Sequence, residues 1–207
     1  MFDLTANNTF SNNTKNFVAA YCSGIDLTEN TTIKKLPIPY YIDYGISVSG
    51  GYKLTIEAGT EFYVNSEKEI RIAEESALIA NGTAAEPIVF RGMEDEIGYW
   101  KGIRYHSQKE SSIMNYCKIG NCGENEAGFW SACLSFWNGS RLTLTNCTFG
   151  NCRHYGIALD DIDNMNSITH SGNTFTGCNA GNVFVETGGT YNGVDYENEQ
   201  ILDNLPE

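Results

Sequence analysis

Residues 116–122 read Tyr-Cys-Lys-Ile-Gly-Asn-Cys, residues 146–152 read Asn-Cys-Thr-Phe-Gly-Asn-Cys, and residues 172–178 read Gly-Asn-Thr-Phe-Thr-Gly-Cys. Superposed, they give three rows: Cys117, Cys147 and Asn173; Ile119, Phe149 and Phe175; Cys122, Cys152 and Cys178. The copies are spaced 30 and then 26 residues apart. A recurrence of this length marks a solenoid, in which each repeat covers the apolar face of the one before it.

Working outward, the same pattern extends over most of the chain. Ile42, Tyr44, Ile46 and Val48 alternate as in a half-buried strand, followed by Leu54 and Ile56, then Phe62 and Val64. The next coil places Ile70 and Ile72, Leu78 and Ala80, and Ile88 and Phe90 in the same places, with offsets 46→70, 54→78 and 62→88. A third coil is opened by Trp100, Ile103 and Tyr105 and completed by Ile113, Cys117, Ile119 and Cys122, after an inserted acidic loop at residues 92–99. Leu134, Phe136, Leu142, Leu144 and Phe149 make a fourth; Ile157, Leu159, Ile168 and Phe175 a fifth; Val183 and Val185 begin a sixth. Ile46, Ile70, Ile103, Leu134, Ile157 and Val183 are expected to form one continuous row. The fold class is therefore all-β, a solenoid of about five to six coils. Residues 1–39 are expected to form an N-terminal lead-in or cap, 40–187 the coils, and 188–207 a C-terminal cover through Ile201, Leu202 and Leu205, or an acidic tail.

Composition agrees and excludes some functions. Gly numbers 21 and Pro 4 in 207 residues, beside abundant Asn, which suits short strands joined by tight turns. The 26 acidic against 13 basic side chains leave a net charge of −13, which disfavours nucleic acid and anionic membranes as partners. Ca²⁺ or neutral glycans remain compatible. No run of 18 apolar residues is present, so membrane insertion is not expected. Five of the seven Cys occupy equivalent repeat positions, and side chains there stack. They are read as a ladder of buried thiols, with a disulfide or a metal site as the alternatives.

Leu54-Thr-Ile-Glu-Ala-Gly-Thr60, Ala80-Asn-Gly-Thr83, Pro87-Ile-Val-Phe90 and Tyr99-Trp-Lys-Gly-Ile103 follow one another in that order. This set resembles the right-handed parallel β-helix proteins of the pectate-lyase-like superfamily, especially surface β-helix repeat proteins of gut Bacteroidetes. The resemblance spans roughly residues 40–187. It implies three parallel sheets around a dry interior, and left-handed Asn or Gly at one corner, with Asn121 and Asn151 as candidates. It also implies an exported protein at the bacterial surface. Met1-Phe2-Asp3-Leu4 lacks the basic and apolar segments of a signal peptide, which leaves a cytosolic protein or a mature or trimmed form, and the resemblance favours the second.

The fold serves lyases, hydrolases and non-catalytic adhesins alike, so function rests on side chains. Asp160, Asp161 and Asp163, with Arg153 and His154 just before them, are the catalytic candidates, because sugar hydrolysis needs two carboxylates flanking one bond. The same three Asp, and Glu94, Asp95 and Glu96, are candidate Ca²⁺ ligands. Against this, Asp160 and Asp161 are adjacent and point to opposite faces of a strand, and the Gly-His-Gly and Arg-Ile-Lys motifs of the family's hydrolases are absent. The bland reading is a solvated acidic turn. His106 and His170 stand isolated and read as surface residues. Trp130, Trp137, Tyr155, Tyr99 and Tyr105 are candidate sugar-stacking rings, the alternative being that they fill the core or cover a sheet. The expectation is a non-catalytic, glycan-binding or adhesin-like module that takes a polysaccharide or host glycan. A polysaccharide lyase or glycoside hydrolase and a structural spacer are the alternatives.

Overall fold

The computed structural model describes residues 9–12, 14–20, 25–137 and 139–207. Short alternating segments punctuated by Gly and Asn form strands too short to stand alone, so they stack in register into three sheets. The first sheet contains β1 (Val18–Ala20), β4 (Tyr40–Ile42), β7 (Glu61–Val64), β10 (Ile88–Gly92), β13 (Cys117–Gly120), β16 (Thr148–Gly150) and β19 (Thr174–Thr176). In the second are β2 (Ile25–Asp26), β5 (Ile46–Val48), β8 (Glu69–Ile72), β11 (Gly102–Tyr105), β14 (Ala132–Phe136), β17 (Tyr155–Asp161) and β20 (Gly181–Thr187), closed by β23 (Gln200–Leu202). The third holds β3 (Thr31–Ile33), β6 (Lys53–Ile56), β9 (Ala77–Asn81), β12 (Ile113–Asn115), β15 (Leu142–Thr145) and β18 (Ile168–Ser171). A separate hairpin pairs β21 (Gly189–Tyr191) with β22 (Val194–Tyr196). Each coil visits the second, third and first sheet in turn, giving a parallel β-solenoid of about six turns.

Parallel register puts like over like. Ile46, Ile70, Ile103, Leu134, Ile157 and Val183 are direct partners along the second sheet, and all are buried. In the first sheet Tyr40, Phe62, Phe90, Ile119, Phe149 and Phe175 form one row. The Phe62 and Phe90 rings stack at 5.1 Å, and those of Phe149 and Phe175 at 5.4 Å. Each buried ring or aliphatic chain in such a row contributes about 1.5–3 kcal/mol.

Three expectations are corrected here. Phe62 pairs with Phe90, not Ile88. The slip is of two residues, which keeps the same face inward and so leaves the alternation unchanged. Met114, not Ile113, fills the interior of β12, because Ile113 sits beside outward-facing Ile79. Finally, Ile42 and Ile46 belong to different sheets. The chain turns a corner between them at Gly45 (φ 91°), leaving Tyr44 exposed. A Cβ at Gly45 would lie 2.6 Å from the Glu69 carbonyl oxygen, so only Gly fits. At another corner Asn121 and Asn151 adopt the expected left-handed conformation, with φ 61° and 52°.

The coils begin earlier than expected. β1 and β3, inside the presumed cap, already pair in parallel with β4 and β6. At the other end β23 adds to β20 antiparallel and stops the stacking. Leu205 is buried, Leu202, Tyr191 and Tyr196 pack on the core, and His170 bonds the Pro206 carbonyl at 2.8 Å. Residues 188–207 thus form a cover rather than a tail, though Ile201 lies exposed on its outer side.

The cysteines divide. Cys117 and Cys147 are buried neighbours, as the ladder requires, and Cys152 is buried beside half-buried Cys178. Cys122, however, is joined to Cys133 in a disulfide. Cys133 adjoins inward-facing Leu134, and strict alternation assigns it to the outer face. Both residues are in fact in the core. The repeat could not reveal this pairing because Cys133 has no counterpart in it. Cys22 lies outside the described residues.

Two outcomes follow from this packing. Phe62→Ala should cost about 3–5 kcal/mol of unfolding free energy in a denaturant titration, whereas Val194→Ala, on the exposed hairpin, should change it by no more than about 0.5 kcal/mol. A thiol reagent should leave Cys117 and Cys152 unlabelled in the native protein, and should reach Cys122 only after reduction and unfolding. Rapid native labelling of Cys117 would contradict the buried row.

Candidate functional site

The outer face of the second sheet carries the densest set of polar and aromatic groups. Alternation turns Arg71 of β8, Arg104 of β11 and Ser135 of β14 outward, and the register sets them side by side. The loop of residues 123–131, between β13 and β14, folds back over this face. Its anchor is apolar: Phe129 is buried against Ala132, Tyr155, Ala158 and Phe184, a small second core outside the solenoid.

A buried guanidinium fixes the loop. Arg104 is 2% exposed. It donates to the Ala132 carbonyl at 3.3 Å, to Ser135 Oγ at 3.0 Å and to Glu124 Oε1 at 3.1 Å, and Glu69 Oε2 stands 3.8 Å from its Nε. Burial lowers its pKa, while Glu124 and Glu69 oppose that. An arginine keeps its charge under such pressure, so the two carboxylates are what make its burial tolerable. Ser135 Oγ in turn donates to the Phe129 carbonyl at 2.9 Å, and Ser131 Oγ donates to that of Glu124 at 2.8 Å.

Above this base stands an aromatic cluster. The Trp130 and Trp137 rings lie 5.5 Å apart and within 20° of parallel, and His106 stacks on Trp137 at 5.5 Å. Phe129 meets both indoles edge-on, and the Arg104 guanidinium lies 5.4 Å from the Trp130 ring centre. Trp130 and Trp137 nonetheless remain 39% and 41% exposed. Together with Glu69, Arg71, Glu74, Arg104, His106 and Glu124 they line an open groove of about 530 Å³. The His106 pKa is lowered, first by burial and then by Arg71 and Arg104, so its ring is neutral at pH 7.

Of the candidate site residues read from the sequence, only Trp130 and Trp137 enter this groove, where His106, read as an isolated surface residue, joins them. Tyr105 points into the solenoid, where its hydroxyl donates to the Arg141 carbonyl at 2.8 Å and burial pushes its pKa up to about 12. Tyr155 is buried, stacked on Phe184 at 4.6 Å. Half-buried Tyr99 sits at the base of the acidic loop, its pKa raised by burial and by Glu94 and Glu96. None of these three can serve as a platform in the groove.

The polar candidates do not converge either. Arg153 and His154 precede β17, and Asp160 and Asp161 end it, roughly 20 Å away at strand rise. Arg153 donates to the Ile97 carbonyl at 3.1 Å, and His154 Nδ1 contacts the buried Ser131 hydroxyl. Asp160 accepts from Asn164 Nδ2 at 2.6 Å. Asp161 caps a 3-10 helix, Ile162–Ser167, by accepting from the Asp163 amide at 2.8 Å. These carboxylates therefore organise a strand-to-helix turn. Asp95 accepts from Asn121 Nδ2 at 3.0 Å. Among the described residues, the one group of three potential metal ligands in mutual reach is Cys122, Cys133 and Cys152. Asp160, Asp161, Asp163, Glu94, Asp95 and Glu96 form no such group among the described residues.

Sequence reasoning missed Arg104, Glu69, Glu124 and Arg71, and read His106 as isolated. A signal existed for the arginines: Arg71 and Arg104 follow Ile70 and Ile103, partners in the ladder. Glu124 lies in a loop without periodicity and could not be placed.

The stacked imidazole gives a pH test. His106 holds fewer protons folded than unfolded between its lowered pKa and its ordinary value near 6.5. Stability must therefore rise with pH through that window, and fall as pH drops below about 6.5. A nuclear magnetic resonance titration should place the His106 midpoint below 6.5, and His106→Gln should remove its share of the acid destabilisation. A midpoint at or above 6.5 would contradict the buried, cation-flanked setting.

Comparison with known proteins matches this geometry at the level of the fold. The family model described as right-handed β-helix region matches residues 5–201. No curated protein and no solved structure matches the chain. With the model spanning nearly the whole sequence and about six parallel coils behind it, the chain belongs to the right-handed β-helix family.

Proposed function

We propose that this chain is a non-catalytic recognition module that binds an uncharged sugar in the groove of the second sheet, outside the cell. The observation that carries the reading is the pair of near-parallel, partly exposed indoles Trp130 and Trp137 beside fixed polar groups. A pyranose has apolar C–H faces and a rim of hydroxyls. The indoles offer the matching flat surface, and Glu69, Glu74, Glu124 and Arg71 the matching hydrogen-bond partners. Buried Phe129 and Arg104 hold the indoles in place before any ligand arrives, which lowers the cost of binding.

Charge favours a neutral ligand. Three carboxylates face two guanidiniums in the groove, and Arg104 already spends its charge on Glu124 and Glu69. A polyuronate would find no free cationic cradle. The Cys122–Cys133 disulfide supports an oxidising, extracellular setting. Catalysis lacks a comparable argument, since Arg153, His154 and the Asp160–Asp163 segment point to separate tasks.

A panel of neutral and anionic oligosaccharides, followed by calorimetry on the best binder, tests the proposal. A neutral oligosaccharide should bind, and Trp137→Ala should weaken it about tenfold, as expected for loss of a ring contact worth roughly 1.4 kcal/mol. Preference for polyuronates, unchanged affinity in both Trp130→Ala and Trp137→Ala, or release of new reducing ends would overturn it.

A further inference from the structure

We propose that the Cys122–Cys133 disulfide, and through it the loop forming one wall of the groove, is controlled by Cys152 through thiol–disulfide exchange inside the solenoid. The inference concerns the groove's construction and holds whatever the groove binds.

The disulfide joins residues 11 apart in sequence. The segment it closes is the loop that carries Glu124, Phe129, Trp130 and Ser131. Cys122 is the stem entering the loop, and Cys133 lies on β14 as the chain leaves it. The sulfurs of Cys122, Cys133 and Cys152 all lie within 4.8 Å of one another, and all three residues are buried. Cys152 is the counterpart of Cys122 one coil further on: the Arg153 amide donates to the Cys122 carbonyl at 2.8 Å, and the Asn121 amide to the Gly150 carbonyl at 3.2 Å. Neighbouring strands in such a stack lie about 4.8 Å apart, within the Cα spacing a disulfide tolerates, about 4.4–6.8 Å. A Cys122–Cys152 bond therefore fits the same coil geometry. An aliphatic side chain at residue 152 would fill the core equally well, but only a thiol there can exchange with the bond beside it.

Cys178 completes the chain of sulfurs. It is half-buried, on the next coil, and hydrogen-bonded to Cys152. That bond favours ionisation of Cys178 and holds the proton on Cys152. Because that bond leaves Cys152 the weaker acid of the pair, its proton passes to the Cys178 thiolate only in concert with attack of the Cys152 sulfur on that of Cys122, which makes the exchange slow. The Cys122–Cys133 bond breaks, and its electron pair leaves on Cys133 as a thiolate. One disulfide is lost and one formed, one thiolate is consumed and one released, and no external oxidant or reductant enters. The product ties coil to coil and frees the exit stem of the loop.

Peptide mapping of the intact protein tests this after incubation at mildly alkaline pH without added thiol, with acid quenching and alkylation. The Cys122–Cys152 peptide should accumulate as Cys122–Cys133 declines, and acrylamide quenching of the Trp130 emission, isolated by subtracting Trp130→Phe, should increase in step. Cys152→Ser should keep Cys122–Cys133 intact, Cys117→Ser should exchange like the parent, and Cys178→Ser should slow exchange on the order of tenfold, having lost its proton acceptor. Should Cys152→Ser fail to fold, the parent and the other two variants still decide. Persistence of Cys122–Cys133 alone in the parent, a Cys133–Cys152 product, or exchange without any change at Trp130 would each overturn the proposal.

Discussion

In-register parallel pairing is the constraint from which the rest of this molecule follows. Each strand is only two to seven residues long among the described residues, and none buries enough surface alone. Register turns many weak strands into continuous rows, so that an isoleucine is covered by an isoleucine and a ring by a ring. The interior rows are then apolar, and the buried hydroxyls of Ser107 and Ser112 gather between β11 and β12 beside Tyr105. Phe62 lies between Tyr40 and Phe90 because its neighbours along the axis are its own repeats. The same rule applies outside. Arg71, Arg104 and Ser135 align for the reason that Ile70, Ile103 and Leu134 do, and a groove along the axis is the natural product of rows.

The outer face of the second sheet departs from this order at the loop of residues 123–131, and there the candidate site lies. A regular coil would turn directly from β13 into β14. The loop of residues 123–131 interrupts it and brings Phe129 down on Tyr155, Ala158 and Phe184. That second core accounts for why Arg104 can be almost fully buried: the loop covers it, and Glu124 comes with the loop to balance its charge. Removing Glu124 alone would leave a buried cation supported by Glu69 at a longer distance, a costly arrangement. Loop, arginine and indoles are thus one cooperative unit resting on the regular sheet.

Legibility in the sequence followed the same divide. The rows of Ile46 through Val183 and of Ile119, Phe149 and Phe175 could be read because period and alternation both act over short distances. The Phe62–Phe90 pairing was misplaced by two residues because a shift of two preserves alternation and hides in it. Alternation placed Tyr44 in a strand because a corner at Gly45 does not interrupt the count. In the site, Trp130 and Trp137 were visible as aromatic residues flanking a strand, but Tyr105 and Tyr155 looked equivalent to them. What separates the four is whether the loop covers a ring, the sheet hides it, or neither does. Arg104, Glu69 and Glu124 acquire meaning only through contacts 20 to 35 residues apart in sequence, which no local pattern records.

The position of the groove also bears on how a ligand reaches it. Its walls come from three successive coils: Glu69, Arg71 and Glu74 from one, Arg104 and His106 from the next, Glu124, Trp130 and Trp137 from the third. The floor of the groove on β8 and β11 is therefore as rigid as the pairing between those coils, whereas the wall carrying Glu124 and Trp130 is held by the contacts of its loop. Meanwhile the whole chain carries a net charge of −13, so an anionic polymer meets repulsion long before it meets the indoles, while a neutral one does not. Near the surface, where screening by salt is weakest, the carboxylates of the groove reinforce that bias. The preference for uncharged rings that we propose would thus have two sources, the field of the molecule and the commitment of Arg104 to its own glutamates.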